Sequence, residues 1–267
     1  MLCTAQNLVR RRMLLRFAAI APLAPLLAAA PARAATMPLR MVTVAVAPWG
    51  WSDAAGQPQG IFVDFARQLA AESGLAMTIS VVPYPRAVAM IGVGDADLLL
   101  ALNSAVLLRT ARQVVATPIG DVIVVTRADL AVRTLQELRG KVVGQVRATE
   151  YGPEFDGDSL IGKREMASWE QCVKMLMEHR IDGAIGMRVS LLYAMQQLGL
   201  PRSQLGPELF VHHASASLHY SRRSYDPAVA AVLAAAVTRL NQRGVMHALM
   251  ARVMPAVPAP PQAALAR

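Results

Sequence analysis

The chain has 267 residues, with 27 Lys and Arg against 18 Asp and Glu, a formal charge of +9. Five of the Arg (Arg10, Arg11, Arg12, Arg16 and Arg33) lie in the first 34 residues, which hold no acid. Without them the balance is 22 to 18, or +4. Three Lys against 24 Arg, with no basic stripe interleaved with aromatics, excludes a nucleic-acid surface as the reading of that charge.

The N-terminus reads as a targeting segment. A basic n-region precedes an apolar run, Phe17 to Ala30, broken by Pro22 and Pro25. Ala32-Arg33-Ala34 then forms an A-x-A cleavage site. Residues 1–34 are therefore expected to be a signal peptide cleaved near Ala34, which places the protein in the periplasm. The run is shorter than the roughly 20 residues that a membrane span needs. Arg11-Arg12-Met13-Leu14-Leu15-Arg16 resembles the twin-arginine signal R-R-x-F-L-K, so twin-arginine export stands beside the general route. Of the two Cys, Cys3 leaves with this segment. Cys172 then has no internal partner, and its place on an apolar helix face makes it a small core residue.

Met41 to Ala47 alternates as a strand. Pro48 to Gly60 is turn chemistry, and Ile61 to Ser73 is an amphipathic helix closed by Gly74. Met77 to Val82 is a strand, Pro85 opens a helix, and Leu98 to Leu102 is an all-apolar run of the kind buried inside parallel sheets. Asp121 to Thr126 is a strand. Thr134 to Arg139 is a short helix with a Thr134/Glu137 capping box. Val142 to Val146 is a strand, and Thr149 is a candidate cap for the segment after it. Ser168 starts a helix that runs to His179. Gly183 to Met187 is a strand, Val189 to Leu198 a helix, and Leu209 to Tyr220 β-like. Asp226-Pro227 opens a helix to Gln242, and Gly244 separates it from a last helix to Met254. The Pro- and Ala-rich residues 255–267 read as a disordered tail. Alternating strands and helices imply parallel sheets with right-handed crossovers.

Two stretches of the chain are alike. RAVAMIGVGDADLLLALN (86–103) and QCVKMLMEHRIDGAIGMR (171–188) are each a helix, a turn ending in Asp97 or Asp182, and an apolar strand, 85 residues apart. That period is too long for a solenoid. It suits two similar α/β lobes, each offering a strand end to a shared cleft. The two Asp read as turn or capping residues.

The order and spacing of several motifs resemble the extracellular solute-binding proteins of family 3, which serve polar amino-acid ABC importers. These are the aromatic-Pro turn around Trp49 and Trp51, Asp53 to Gly56, Gly60-Ile61-Phe62-Val63-Asp64 and Tyr84-Pro85-Arg86. Asp97, Arg109 and Pro118 keep the family intervals, as do Glu137 to Gly144, Asp226 to Val229 and Gly244 to Met246. The resemblance implies a periplasmic binding protein-like (type II) α/β fold. Its two lobes, 35–120 with 211–254 and 121–210, are joined by two crossover strands, with the ligand cleft between them. It implies capture of a small, carboxylate-bearing solute, an amino acid or a related compound, for an ABC permease in the inner membrane, by a monomer that does no chemistry and needs no cofactor. The alternatives are a cyclohexadienyl dehydratase-like enzyme on the same fold, with Glu150 or Glu154 as its acid, and a ligand-sensing module for a membrane receptor.

The resemblance carries over a set of ligand-binding residues. Arg109 would fork onto a carboxylate. Asn103 and Ser104 would meet the ligand's amino and carboxylate groups. One of Trp49 and Trp51 would wall the cleft, with Tyr84 and Arg86 beside it, and Ala148-Thr149 would offer N–H groups at a helix start. The sequence departs from the family at Met187, where amino-acid binders carry an Asp for the ligand ammonium. It departs again at Val106, where a Thr is usual. Glu150 or Glu154 could supply the missing charge. His212, His213 and His219 do not read as a metal site, because adjacent strand residues point to opposite faces. G-x-S-x-G, Walker and H-E-x-x-H motifs are absent.

Overall fold

The computed structural model describes residues 37–147 and 149–253. Residues 1–36, Ala148 and residues 254–267, on which the expected signal peptide and tail fall, lie outside the described residues. The elements are, in order, β1 (Leu39–Val44), β2 (Trp51–Ser52), β3 (Pro58–Gln59), α1 (Ile61–Ser73), β4 (Met77–Val82), α2 (Tyr84–Val93), β5 (Leu98–Leu102), α3 (Ala105–Thr110) and β6 (Ala111–Thr126). There follow β7 (Val142–Val146), α4 (Pro153–Asp156), β8 (Gly162–Met166), α5 (Trp169–Met177), β9 (Gly183–Met187), α6 (Arg188–Gln197), β10 (Leu209–Ser221), α7 (Pro227–Gln242) and α8 (Val245–Val253). No described helix is long and apolar enough to cross a membrane.

Eight strands join in the order β4-β1-β5-β10-β6-β9-β7-β8. The pairs β4/β1, β1/β5, β9/β7 and β7/β8 are parallel, and β10 and β6 run antiparallel to their neighbours. The two central strands are long enough to serve both ends of the sheet. Residues 216–220 of β10 pair with β5, whereas residues 122–126 of β6 pair with β9.

Local chemistry explains where the helices start and stop. Gly74 closes α1 in the left-handed region, its N–H bonded to the Ala70 carbonyl. The Ser168 hydroxyl accepts from Gln171 N at 3.3 Å, and Gln171 Oε1 accepts from Ala167 N at 3.0 Å. Asp226 accepts from Ala228 N and Val229 N at the start of α7, with Pro227 at its first position.

Two expected caps are corrected. Residues Leu135–Leu138 form a 3-10 turn, and the Thr134 hydroxyl bonds no backbone N–H. It donates instead to Glu137 Oε1 at 3.2 Å, while Glu137 Oε2 accepts from Arg133 N at 3.0 Å. Thr149 caps no helix either, since α4 starts after Gly152 and has no side-chain cap. A third difference is β6, which begins ten residues before Asp121. Over residues 111–121 it pairs only with β10. Such an edge tolerates Pro118, which has no N–H to give.

The internal repeat is α2–β5 and α5–β9. In both units the Asp between helix and strand clips the neighbouring parallel strand. Asp97 N–H donates to the Arg40 carbonyl at 2.8 Å, and Asp97 Oδ2 accepts from Arg40 N at 2.9 Å. Asp182 N–H donates to the Val142 carbonyl at 2.8 Å, and Asp182 Oδ2 accepts from Val142 N at 2.8 Å.

Asp97 is buried and also holds the Arg40 guanidinium, with Arg40 Nε at 3.0 Å from Oδ2. Burial opposes its charge, but the bonds from Arg40 outweigh burial and hold the carboxyl below its ordinary range. A carboxyl depressed by folding stabilises the native state above its unfolded value of about 4 and loses that contribution as pH falls through the native value. Asp97→Asn should therefore cost about 1–3 kcal/mol at pH 7, and the gap to the unsubstituted protein should narrow below about pH 4. Urea unfolding at a series of pH values measures both.

Candidate functional site

Four parallel strands end at one place. The carboxyl ends of β1 and β5, from one end of the sheet, and of β7 and β9, from the other, open into one cleft. The position is the one that ligands take in open α/β sheets. The first end of the sheet contributes Val44, Val46, Trp49, Phe62, Tyr84, Ala101, Leu102, Asn103, Ser104 and, from β6, Ile119. The second contributes Val146, Arg147, Thr149, Glu150, Trp169 and Met187.

Turn geometry builds the aromatic wall. Gly60 precedes α1, so that Phe62 N bonds the Trp49 carbonyl at 2.9 Å and the two rings lie 4.7 Å apart. The Trp49 indole N–H donates to the Ser190 hydroxyl on α6 at 2.8 Å, tying the turn after β1 to the helix after β9. Tyr84, at the start of α2, shares a 2.6 Å hydrogen bond with Ser104, whose hydroxyl also accepts from Leu107 N at the start of α3. Burial, then the nearby charge of Glu150, raise the Tyr84 phenol above its ordinary value. Glu150 thus acts on Tyr84 from the other end of the sheet.

Of the residues expected to touch a ligand, Trp49, Tyr84, Asn103, Ser104 and Thr149 line the cleft. Trp51, Arg86 and Arg109 are exposed and are not among the lining residues. Trp51 sits on the short β2. Arg86 lies on the outer side of α2, two residues past Tyr84. Arg109 lies in the last turn of α3, where its carbonyl accepts from Arg222 Nε at 3.2 Å.

Motif spacing does not single out Trp169, although the repeat points to it. Carrying the 85-residue offset two positions upstream of Arg86 and Gln171 pairs Tyr84 with Trp169, each the first residue of its helix. The same offset pairs Leu102 with Met187 and Ala101 with Gly186. All but Gly186 line the cleft. Gly186 makes room for the larger ring, since a Cβ there would lie 2.4 Å from Trp169 Nε1.

Other reactive groups lie outside the cleft. Burial pushes the Cys172 thiol up to about 12, so it stays protonated in the core. His213 pairs with Asp121 at 2.7 Å, and His219 is fully buried. Among the described residues no group of three His, Cys, Asp or Glu could hold a metal ion.

The model of the bacterial extracellular solute-binding proteins, family 3, matches residues 39–255. The chain belongs to this family. No curated protein matches the sequence. Among solved structures, a histidine kinase sensor domain with similarity to periplasmic binding proteins aligns at 18% identity and a TM-score of 0.65, covering 82% of this chain and 96% of its own. The VFT2 domain of BvgS from Bordetella pertussis aligns at 17% identity and a TM-score of 0.66, over 80% and 92%. An ancestral arginine-binding protein bound to arginine aligns at 14% identity and a TM-score of 0.63, over 81% and 97%. These likenesses establish the mixed α/β periplasmic binding protein-like fold.

Proposed function

We propose that this family 3 protein is exported to the periplasm, captures a small carboxylate-bearing solute in the cleft, and hands it unaltered to an ABC permease. The observation that carries the reading is the cleft itself, walled by side chains from both ends of one sheet that only β6 and β10 connect. In this reading residues 37–120 with 211–253 form one lobe and residues 121–210 the other. Rotation about the two long strands opens and shuts the cleft. Asn103, Ser104, Thr149 and Arg147 supply polar groups for the carboxylate, and Trp49, Phe62, Tyr84 and Trp169 cover the rest of the solute. Arg109 would reach a carboxylate only at the rim.

A thermal-shift screen of the purified chain against amino acids, organic acids and polyamines tests the reading. A bound solute at 100 times its dissociation constant adds about 2.7 kcal/mol of stability, which raises the midpoint by several degrees. A screen in which only compounds without a carboxylate stabilise the protein overturns the solute class. A screen with no shift at all overturns solute capture.

A further inference from the structure

We propose that Glu150 receives an amine on the solute, and that the solute's remaining body is large and apolar rather than charged. This rests on the solute-binding reading above and adds to it the end of the molecule opposite the carboxylate.

Among its described lining residues the cleft holds one acid. Met187, at the carboxyl end of β9, lines it as a buried thioether 3% exposed, with nothing to offer an ammonium. Glu150 and Arg147 are the charged residues of the described lining. Arg147, assigned above to the carboxylate, also faces Glu165 at 3.5 Å in an exposed pair. Glu150 makes no hydrogen bond or ion pair among the described residues, yet its charge is felt by Tyr84 on the opposite wall. Glu150 is an exposed, free carboxylate in a cleft walled by aromatic rings, and such a carboxylate can hold an ammonium through a charge-assisted hydrogen bond. The deeper lining argues against a second charge. Val44, Val46, Leu102, Ile119, Val146 and Met187 present only hydrocarbon and a thioether. A guanidinium or second carboxylate among them would lose its water without gaining a partner.

Calorimetry on the purified chain and on Glu150→Gln, with L-phenylalanine, 3-phenylpropionate, L-arginine and L-glutamate as probes, tests this. Phenylalanine should bind the unsubstituted protein about ten-fold or more tighter than 3-phenylpropionate, the same molecule without its amine. In Glu150→Gln that preference should fall to about three-fold or less, with 3-phenylpropionate unaffected. Glu150→Asp should retain part of the preference, which separates the charge from a folding defect. Arginine and glutamate should bind more weakly than phenylalanine. An undiminished preference in Glu150→Gln overturns the role of Glu150. Arginine or glutamate binding as tightly as phenylalanine overturns the apolar body while leaving solute capture intact. Failure of all four probes overturns this inference alone, since solute capture is judged by the wider screen.

Discussion

Gly60→Ala should destabilise the protein by about 3–5 kcal/mol and abolish solute binding where the fold survives. Gly60 stands before α1 with φ +119°, a conformation that L side chains rarely adopt. A methyl group there would lie 2.5 Å from the Trp49 carbonyl oxygen and 2.8 Å from Gly50 N and Cα. All three obstacles are backbone, so no side-chain rotation relieves them. The Trp49 carbonyl is also the acceptor for Phe62 N. Pushing it aside would break that bond, separate the Trp49 and Phe62 rings that line the cleft, and disturb the Trp49–Ser190 bond. Gly56→Ala is the control. Gly56 has φ +74° but no atom within 4 Å of an added Cβ, so it should lose only about 1 kcal/mol and keep its binding. Urea unfolding of both variants separates the clash from the conformational cost. Equal losses would show that Gly60 is not braced against the Trp49 turn.

Much of this architecture is legible in the sequence because caps and apolar runs coincide. The bounds of α1, β4, β5, β7, β9 and α7 are those read from the sequence. Each has a Gly, Pro, Ser or Asp at an end or a run of buried aliphatics. The elements that escape lack a run of buried aliphatics. β8 reads Gly-Lys-Arg-Glu-Met and is mostly exposed, so ladder bonds to β7 hold it as an edge rather than a buried face. α3 has six residues, too few for a period to show. The first half of β6 carries Pro118 and Gly120, which read as breakers and are tolerated on an edge.

The cleft divides along the same line. Tyr84 and Ser104 sit at strand or helix ends that motif spacing marks. Trp169 and Met187 repeat Tyr84 and Leu102 at the 85-residue offset. The segment 147–150 has no counterpart in the other unit, and what it brings to the cleft depends on how the chain leaves β7. Motif spacing alone also carries Arg109 towards a ligand. Spacing fixes a position along the chain, and at that position Arg109 is exposed on the short α3.

A second large effect should appear as acid destabilisation centred on His219. This residue is fully buried on β10, opposite Leu99 of β5 and Gln113 of β6. Burial pushes its imidazole down to about 4, and the nearby Ala101 backbone offsets this only in part. Neither ring nitrogen has a well-formed hydrogen bond among the described residues. The native state therefore holds a neutral ring. The unfolded chain takes up a proton below about pH 6.5, and the native state does so only below about 4. Between those values the unfolded state binds the extra proton, so stability falls as pH falls. The loss should be about 2 kcal/mol at pH 5 and about 3 kcal/mol at pH 4, relative to pH 8, and level off below that. His219→Leu removes the titrating ring and both buried nitrogens while filling similar space beside Leu99 and Ala101. Its unfolding free energy should lack this slope between pH 8 and pH 4, retaining the fall at lower pH that Asp97 and the other depressed carboxyls, Asp53, Glu72 and Asp158, contribute. Should the variant and the unsubstituted protein show parallel pH profiles from 8 to 4, the acid sensitivity belongs elsewhere and the ring is not held neutral by its place in the sheet.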